Sequence, residues 1–200
     1  MRKLLLTIVV AAGVCGHALA QDNMDFSAMF KVPAEMKQLD YLIGSWEGEE
    51  KLIFGPSPTI AKVQLKFSKV LNNRWIEQLH TYTGPEMMKP MVGKMITSYD
   101  ADKKVWRAYW FDSGAGFGAS MQGTLTGNTM IFTSEPFEMP GFAGKVVAKS
   151  TFVKKSDTEF TFKYEQAGAD EASKKQAAAM GAKSEWTTFI EGTYKKKSKS

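Results

Sequence analysis

Cysteine is nearly absent: the 200-residue chain has one, Cys15. It stands in the opening stretch MRKLLLTIVVAAGVCGHALA, where Arg2 and Lys3 precede an apolar run at 4–14 and Ala18-Leu19-Ala20 has the A-x-A form of a cleavage site. The stretch reads as an export leader removed after Ala20, which makes the expected location periplasmic or secreted. Cys15 does not read as a lipid anchor, because a small residue is wanted just before such a cysteine and a bulky aliphatic three before, and Val14 and Ala12 reverse that order. Without the leader no thiol remains, which excludes disulfides, thiolate metal sites and a cysteine nucleophile. Histidine is almost as scarce, with only His80 beyond the leader. Long hydrophobic runs are missing too. The run at 4–14 falls well short of the roughly 20 residues of a membrane-crossing helix, and no later segment approaches that length, so no integral membrane span is expected. Excess charge of one sign is small at +5, with Arg2 and Lys3 in the leader and Lys195, Lys196, Lys197 and Lys199 in the tail. That tail, KKKSKS, reads as a solvated, frayed end. Basic residues interleaved with aromatics across one face are not seen, so nucleic acid is not an expected partner.

What is present is a pattern of period two. The segment AKVQLKFSKVL sets Val63, Leu65 and Phe67 on one face and Lys62, Gln64 and Lys66 on the other, the alternation of a half-buried antiparallel strand. Comparable segments predict ten strands at 45–54, 60–71, 74–83, 92–100, 103–112, 117–126, 128–135, 144–154, 158–166 and 185–195. Asn72-Asn73 predicts a tight hairpin, and Asp100-Ala101-Asp102, Thr126-Gly127-Asn128 and Lys155-Ser156-Asp157 mark further turns. An up-and-down meander of about ten strands loses its exposed edges most simply by closing into a barrel, with a β-sandwich as the alternative. Ahead of it, residues 21–35 are irregular, and AEMKQLDYLIG predicts a short helix introduced by Pro33 and ended by Gly44, with Met36, Leu39, Leu42 and Ile43 turned inward. The alanine- and lysine-rich stretch at 167–183 predicts one or two helical turns. The domain organisation expected is thus a leader at 1–20, an irregular segment at 21–35, a single barrel domain at 36–195 and a basic tail at 196–200.

Several short motifs resemble a known family. Leu39-Asp40-Tyr41-Leu42-Ile43-Gly44-Ser45-Trp46-Glu47-Gly48, then Asn73-Arg74-Trp75-Ile76-Glu77, Ser98-Tyr99-Asp100, Trp110-Phe111-Asp112-Ser113 and Phe189-Ile190-Glu191-Gly192-Thr193-Tyr194 together resemble the DUF1579 family of uncharacterised bacterial proteins, over about 36–195. The resemblance implies a calycin-like, all-β barrel. Its Gly44-x-Trp46 element is similar to the first strand of lipocalins and of nitrobindin-like haem barrels, where the tryptophan plugs one end. Those haem barrels use a histidine late in the chain, and none follows His80 here, so haem is not an expected cofactor.

Chemistry-bearing residues are few. On the strand at 74–83, Arg74, Ile76, Gln78, His80 and Tyr82 share a face, and a face so polar and aromatic would make the lumen amphipathic if it points inward. In VWRAYWF, Arg107 alternates with Val105, Tyr109 and Phe111 beside Trp110, a cation among aromatics that could hold the head of an amphipathic acid. Candidate ligand-binding residues are therefore Arg74, His80, Tyr82, Arg107, Tyr109 and Trp110, with Gly44 and Trp46 as the structural plug. Met87, Met88, Met91 and Met95 suit an adaptable lid, with a Cu(I) site as an alternative. No catalytic constellation emerges. Ser113, Asp112 and His80 lack a G-x-S-x-G context, Glu47, Glu49 and Glu50 read as strand-end and surface carboxylates, and Gly114-Ala115-Gly116-Phe117-Gly118 reads as a flexible connection because no helix follows it. The expected function is binding of a small apolar or amphipathic ligand in the lumen. The alternative is a structural or interaction module with a packed lumen, and haem or Cu(I) binding or a hydrolase comes third. Alternation does not say which face is inside, and it leaves ligand and oligomeric state open.

Overall fold

In the computed structural model, residues 30–198 are described, apart from 56, 115, 117, 140, 180, 181 and 183. The leader at 1–20 therefore lies outside the described residues, and Val32–Ser200 is one compact unit. The segment predicted as a helix is a 3-10 helix over Ala34–Leu42, whose buried residues are Met36, Leu39 and Leu42. Their spacing of three suits a helix of three residues per turn, since it stacks them in one row. Ile43 leaves the helix, and Gly44, at φ +126°, turns the chain into the first strand.

Eleven strands follow: β1 Gly44–Leu52, β2 Thr59–Val70, β3 Trp75–Gly84, β4 Val92–Asp100, β5 Val105–Asp112, β6 Ala119–Thr126, β7 Thr129–Ser134, β8 Phe137–Glu138, β9 Lys145–Ser156, β10 Glu159–Gly168 and β11 Thr187–Lys196. Each pairs antiparallel with its neighbour in the order β10-β11-β1-β2-β3-β4-β5-β6-β7-β9, and β9 pairs back onto β10. The ten expected strands thus close into a ten-stranded barrel. The extra strand, β8, is a two-residue continuation along β9, too short to leave a periodic signal. The turn at Asn72-Asn73 is wider than the predicted two-residue hairpin: Leu71, Asn72 and Asn73 all hold positive φ, and the Arg74 N–H closes it onto the Leu71 carbonyl. An α-helix, α1 Glu171–Ala179, lies in the long connection before β11. Asp170 starts it, accepting the Ser173 N–H at 2.9 Å and tying it to β9 through the Lys145 N–H at 2.8 Å.

The inward face comes from alternation. Trp46, Val63, Leu65, Phe67, Ile76, Met95, Trp106, Met121, Met130, Phe132, Phe152, Phe160 and Tyr194 are buried together and fill the lumen. The 3-10 helix closes the end where β1 begins. There Trp46 is 0% exposed, packs edge-on against Phe160 at 4.9 Å and donates its indole N–H to the Leu42 carbonyl at 2.6 Å. The β11 end is more ordered than the frayed tail predicted from sequence: Lys196 belongs to the strand, its ammonium donates to the Tyr41 carbonyl at 2.6 Å, and Lys197 pairs with Glu47 at 3.3 Å. Lys196 is held because the last strand ends beside the helix, whose carbonyls need donors. The space left between helix and barrel is a cavity of about 20 Å³, lined by Tyr41, Leu42, Phe67, Ile76, Gln78 and Phe152 among others. That is room for about one water.

Candidate functional site

At the opposite end of the barrel the inward face turns polar. Glu50 follows Trp46 and Gly48 on the inward face of β1 and is 0% exposed. Tyr82 donates its hydroxyl to Glu50 Oε2 at 2.8 Å, and Tyr194 donates to Oε1. Each carboxyl oxygen thus accepts one phenol. Gly192 makes this possible: it pairs opposite Glu50, and a Cβ there would come within 3.0 Å of the Tyr194 ring, so the bare backbone lets the ring lie against the strand. His80, 6% exposed, points its Nε2 at Glu50 Oε1 from 3.6 Å, too far for a hydrogen bond, and that nitrogen has no partner. Burial lowers the His80 pKa and the Glu50 charge opposes it, with burial dominating, so the imidazole is neutral at pH 7. Burial and the Glu50 charge push the hydroxyls of Tyr82 and Tyr194 in the other direction, well above 10, which keeps both as donors.

A second carboxylate faces the same space. Asp112 ends the inward row Trp106, Ala108, Trp110 on β5 and accepts the Trp110 indole N–H at 2.8 Å and the Gly114 N–H at 2.9 Å. Its charge is felt by Tyr82 on β3 and by Tyr164 on β10, from both sides of the lumen. Trp110 lies edge-on to His80 at 5.9 Å and covers Gly93 on β4, where a Cβ would sit 2.3 Å from the indole. Tyr164 accepts from Gln166 Nε2 at 2.7 Å. One residue pair deeper, Gln78 is 4% exposed and its Oε1 has no partner.

The residues singled out from sequence divide between the two faces. His80, Tyr82 and Trp110 are brought together in the lumen. Arg107 and Tyr109 are not: they stand on the other face of β5 from Trp106, Ala108 and Trp110. There Arg107 pairs with Asp100 at 2.8 Å, and Tyr109 packs on Trp75 with ring centres 6.1 Å apart. The cation expected at the head of an amphipathic acid thus lies outside the barrel. Arg107 does share a face with Val105 and Tyr109, as the alternation implied, but that face is the outside of the sheet. Arg74 lies in the turn before β3, at the helix-capped end, where its carbonyl accepts the Ser98 hydroxyl at 2.7 Å. Gly44 and Trp46 occupy that capped end. Tyr164, Gln166 and Tyr194 join the site without having been singled out; Gln78 joins it from the His80 face, Asp112 joins it without a serine partner, and Glu50, read from sequence as a strand-end or surface carboxylate, is instead fully buried because it lies on the inward face of β1. The signal for Glu50 was available, because it falls two and four residues after Gly48 and Trp46 in a period-two strand.

Among the described residues no group of three or more His, Cys, Asp or Glu side chains is placed to hold a metal ion. Met87 is exposed while Met95 is buried in the lumen, so the four thioethers do not converge. No helix among the described residues is long and apolar enough to cross a membrane.

Fold and site together define a closed, ten-stranded antiparallel β-barrel with one capped end and one end carrying a buried polar cluster. The chain belongs to the DUF1579 family, whose description is "protein of unknown function" and whose profile matches residues 32–196. No curated protein matches it. Among solved structures it is similar to Rv2717c from M. tuberculosis, at 9% identity and a TM-score of 0.57, covering 84% of this chain and 100% of that one. At that identity the likeness concerns the fold. A DUF3598-family protein of unknown function from Nostoc punctiforme also matches, at 8% identity over 83% of this chain and 100% of that one, but its TM-score of 0.21 carries no argument.

Proposed function

We propose that the protein binds a small ligand in the lumen at the Glu50–His80 end of its barrel, with the polar part of the ligand on His80, Gln78 and Glu50 and its apolar part against Trp110 and Tyr82. The observation that carries this reading is an unmatched polar atom, His80 Nε2, buried 3.6 Å from the Glu50 carboxylate, with Gln78 Oε1 unmatched one residue pair deeper. A buried polar group left without a hydrogen bond costs about 1–3 kcal/mol, so such atoms are rare where function does not call for them. Met88 and Met91, partly buried against the core from the loop between β3 and β4, are unbranched side chains that can shift to admit a ligand. Residues 1–20 retain their reading as an export leader, which would place this work in the periplasm or outside the cell. N-terminal sequencing of the protein from fractionated cells tests that point.

The tightness of the lumen favours a second reading. With only about 20 Å³ free beneath the helix, a barrel already filled by its own side chains suits a structural or interaction module. The two readings separate in a fragment screen followed through the His80 imidazole resonances, assigned by their loss in His80→Gln. Fragments that shift them at sub-millimolar concentration support ligand binding. A diverse library that leaves them unmoved transfers the weight to the interaction module.

A further inference from the structure

If the lumen is a ligand site, its own chemistry constrains what it takes. We infer that the ligand is a small organic cation, a protonated amine carried on a compact apolar or aromatic body.

The first ground is charge. Glu50 and Asp112 both face the lumen at this end, and their only recorded donors are neutral: two phenols for Glu50, an indole and a backbone amide for Asp112. No inward strand position at this end holds Lys or Arg. On β1 the inward residues are Glu50 and Leu52, on β3 His80 and Tyr82, on β5 Trp110 and Asp112, on β10 Tyr164 and Gln166, and on β11 Ile190, Gly192 and Tyr194. The nearest expected cation, Arg107, points out of the barrel and is held by Asp100. His80, buried and neutral, adds no positive charge. One fully buried and one half-buried carboxylate among aromatic rings make a field that attracts a cation and repels an anion.

The second ground is hydrogen bonding, and it is independent of charge. The unmet demand inside the barrel is for donors. Gln78 Oε1 can only accept. His80 Nε2 accepts in the tautomer that carries its proton on Nδ1, and Glu50 has lone pairs beyond those its two phenols use. An ammonium group brings three donors and no acceptor, whereas a carboxylate would bring acceptors to a site already rich in them. The third ground is the wall. Trp110, Tyr82 and Tyr164 present aromatic faces and edges to this space, and aromatic faces attract cations, tryptophan most strongly.

The inference rests on the proposed binding role, and a matched set of probes separates the two. Phenethylamine, 3-phenylpropanoate and 2-phenylethanol have similar bodies and differ in the sign of the head group. Each is titrated into the full-length protein at pH 7 by calorimetry, beside Asp112→Asn and Glu50→Gln. The expected result is that the amine binds at least tenfold more tightly than the acid or the alcohol, and that Asp112→Asn weakens the amine about tenfold while leaving the alcohol unchanged. Asp112 is only half-buried, so that variant keeps the test usable if Glu50→Gln folds poorly. Binding of the acid or the alcohol as tight as that of the amine overturns the cation inference and leaves the ligand-binding role standing. Failure of all three to bind overturns both.

Discussion

Replacing Glu50 by alanine should unfold the polar end of the barrel more easily, and the size of the effect can be worked from its partners. The substitution removes the one acceptor of two buried phenols: Tyr82, which donates to Oε2 at 2.8 Å, and Tyr194, which donates to Oε1. Leaving a buried donor unpaired costs about 1–3 kcal/mol, so two lost partners cost about 4 kcal/mol. In a domain of this size each kcal/mol lowers Tm by about 2–4 °C, which predicts a fall of about 12 °C. Glu50→Gln should cost less, about 1–2 kcal/mol, because its oxygen still accepts from one phenol and its amide N–H can donate to the oxygen of the other. Urea denaturation at pH 7, followed by tryptophan fluorescence, measures both, with the slope checked for constancy. The reasoning would be refuted by a Glu50→Ala protein as stable as the wild type. That result would mean that desolvating the carboxylate costs as much as its two hydrogen bonds return.

Three further outcomes are expected. Trp46→Ala should cost about 3–5 kcal/mol, since it empties a fully buried position against Phe160 and orphans the Leu42 carbonyl; chemical denaturation gives the figure, and a loss under 1 kcal/mol would contradict the plug. Stability should fall on both sides of neutrality. The folded-state pKa of His80 lies below its unfolded value of about 6.5, so the unfolded chain takes up more protons as pH drops below 6.5, and stability declines there. Tyr41, raised to about 12 by burial, and the likewise raised Tyr82 and Tyr194 keep their protons longer when folded, so stability is full below about pH 10 and declines above it. Thermal melts across pH should show both limbs, with the acid limb reduced in His80→Gln; an unchanged acid limb would remove His80 from the account. Arg107→Ala should leave ligand binding as in the wild type, because Arg107 faces outward, and a binding defect measured by calorimetry would return it to the site.

The fold was legible because its signals are local and repeated. Period-two alternation located ten strands, and their even spacing implied closure. Gly44-x-Trp46 marked the capped end through the resemblance of that element to the first strand of lipocalins. The site was legible only in part, for a physical reason. Alternation sorts a strand into two faces without naming the inner one, and on β5 both faces carry aromatics: Trp106 and Trp110 on one, Tyr109 and Phe111 on the other. Arg107 was therefore grouped with the right strand neighbours, Val105, Tyr109 and Phe111, but that face is the outer one. On β3 the same ambiguity did no harm, because His80, Gln78 and Tyr82 share a face. Glu50 was read as a strand-end or surface carboxylate because a glutamate among Glu47, Glu49 and Lys51 looks like surface, and the Tyr194 that helps to hold it is 144 residues away. The 3-10 form of the first helix was written in the spacing of Met36, Leu39 and Leu42, which an α-helical expectation passes over.

The most direct test of ligand binding is native mass spectrometry of the full-length protein purified gently from the cells that make it, with denaturing extraction of whatever it carries. The account predicts a stoichiometric small molecule on the wild type that is lost from a folded His80→Leu variant. A wild-type protein that carries nothing, and whose melting temperature no member of a broad small-molecule library raises, would contradict it.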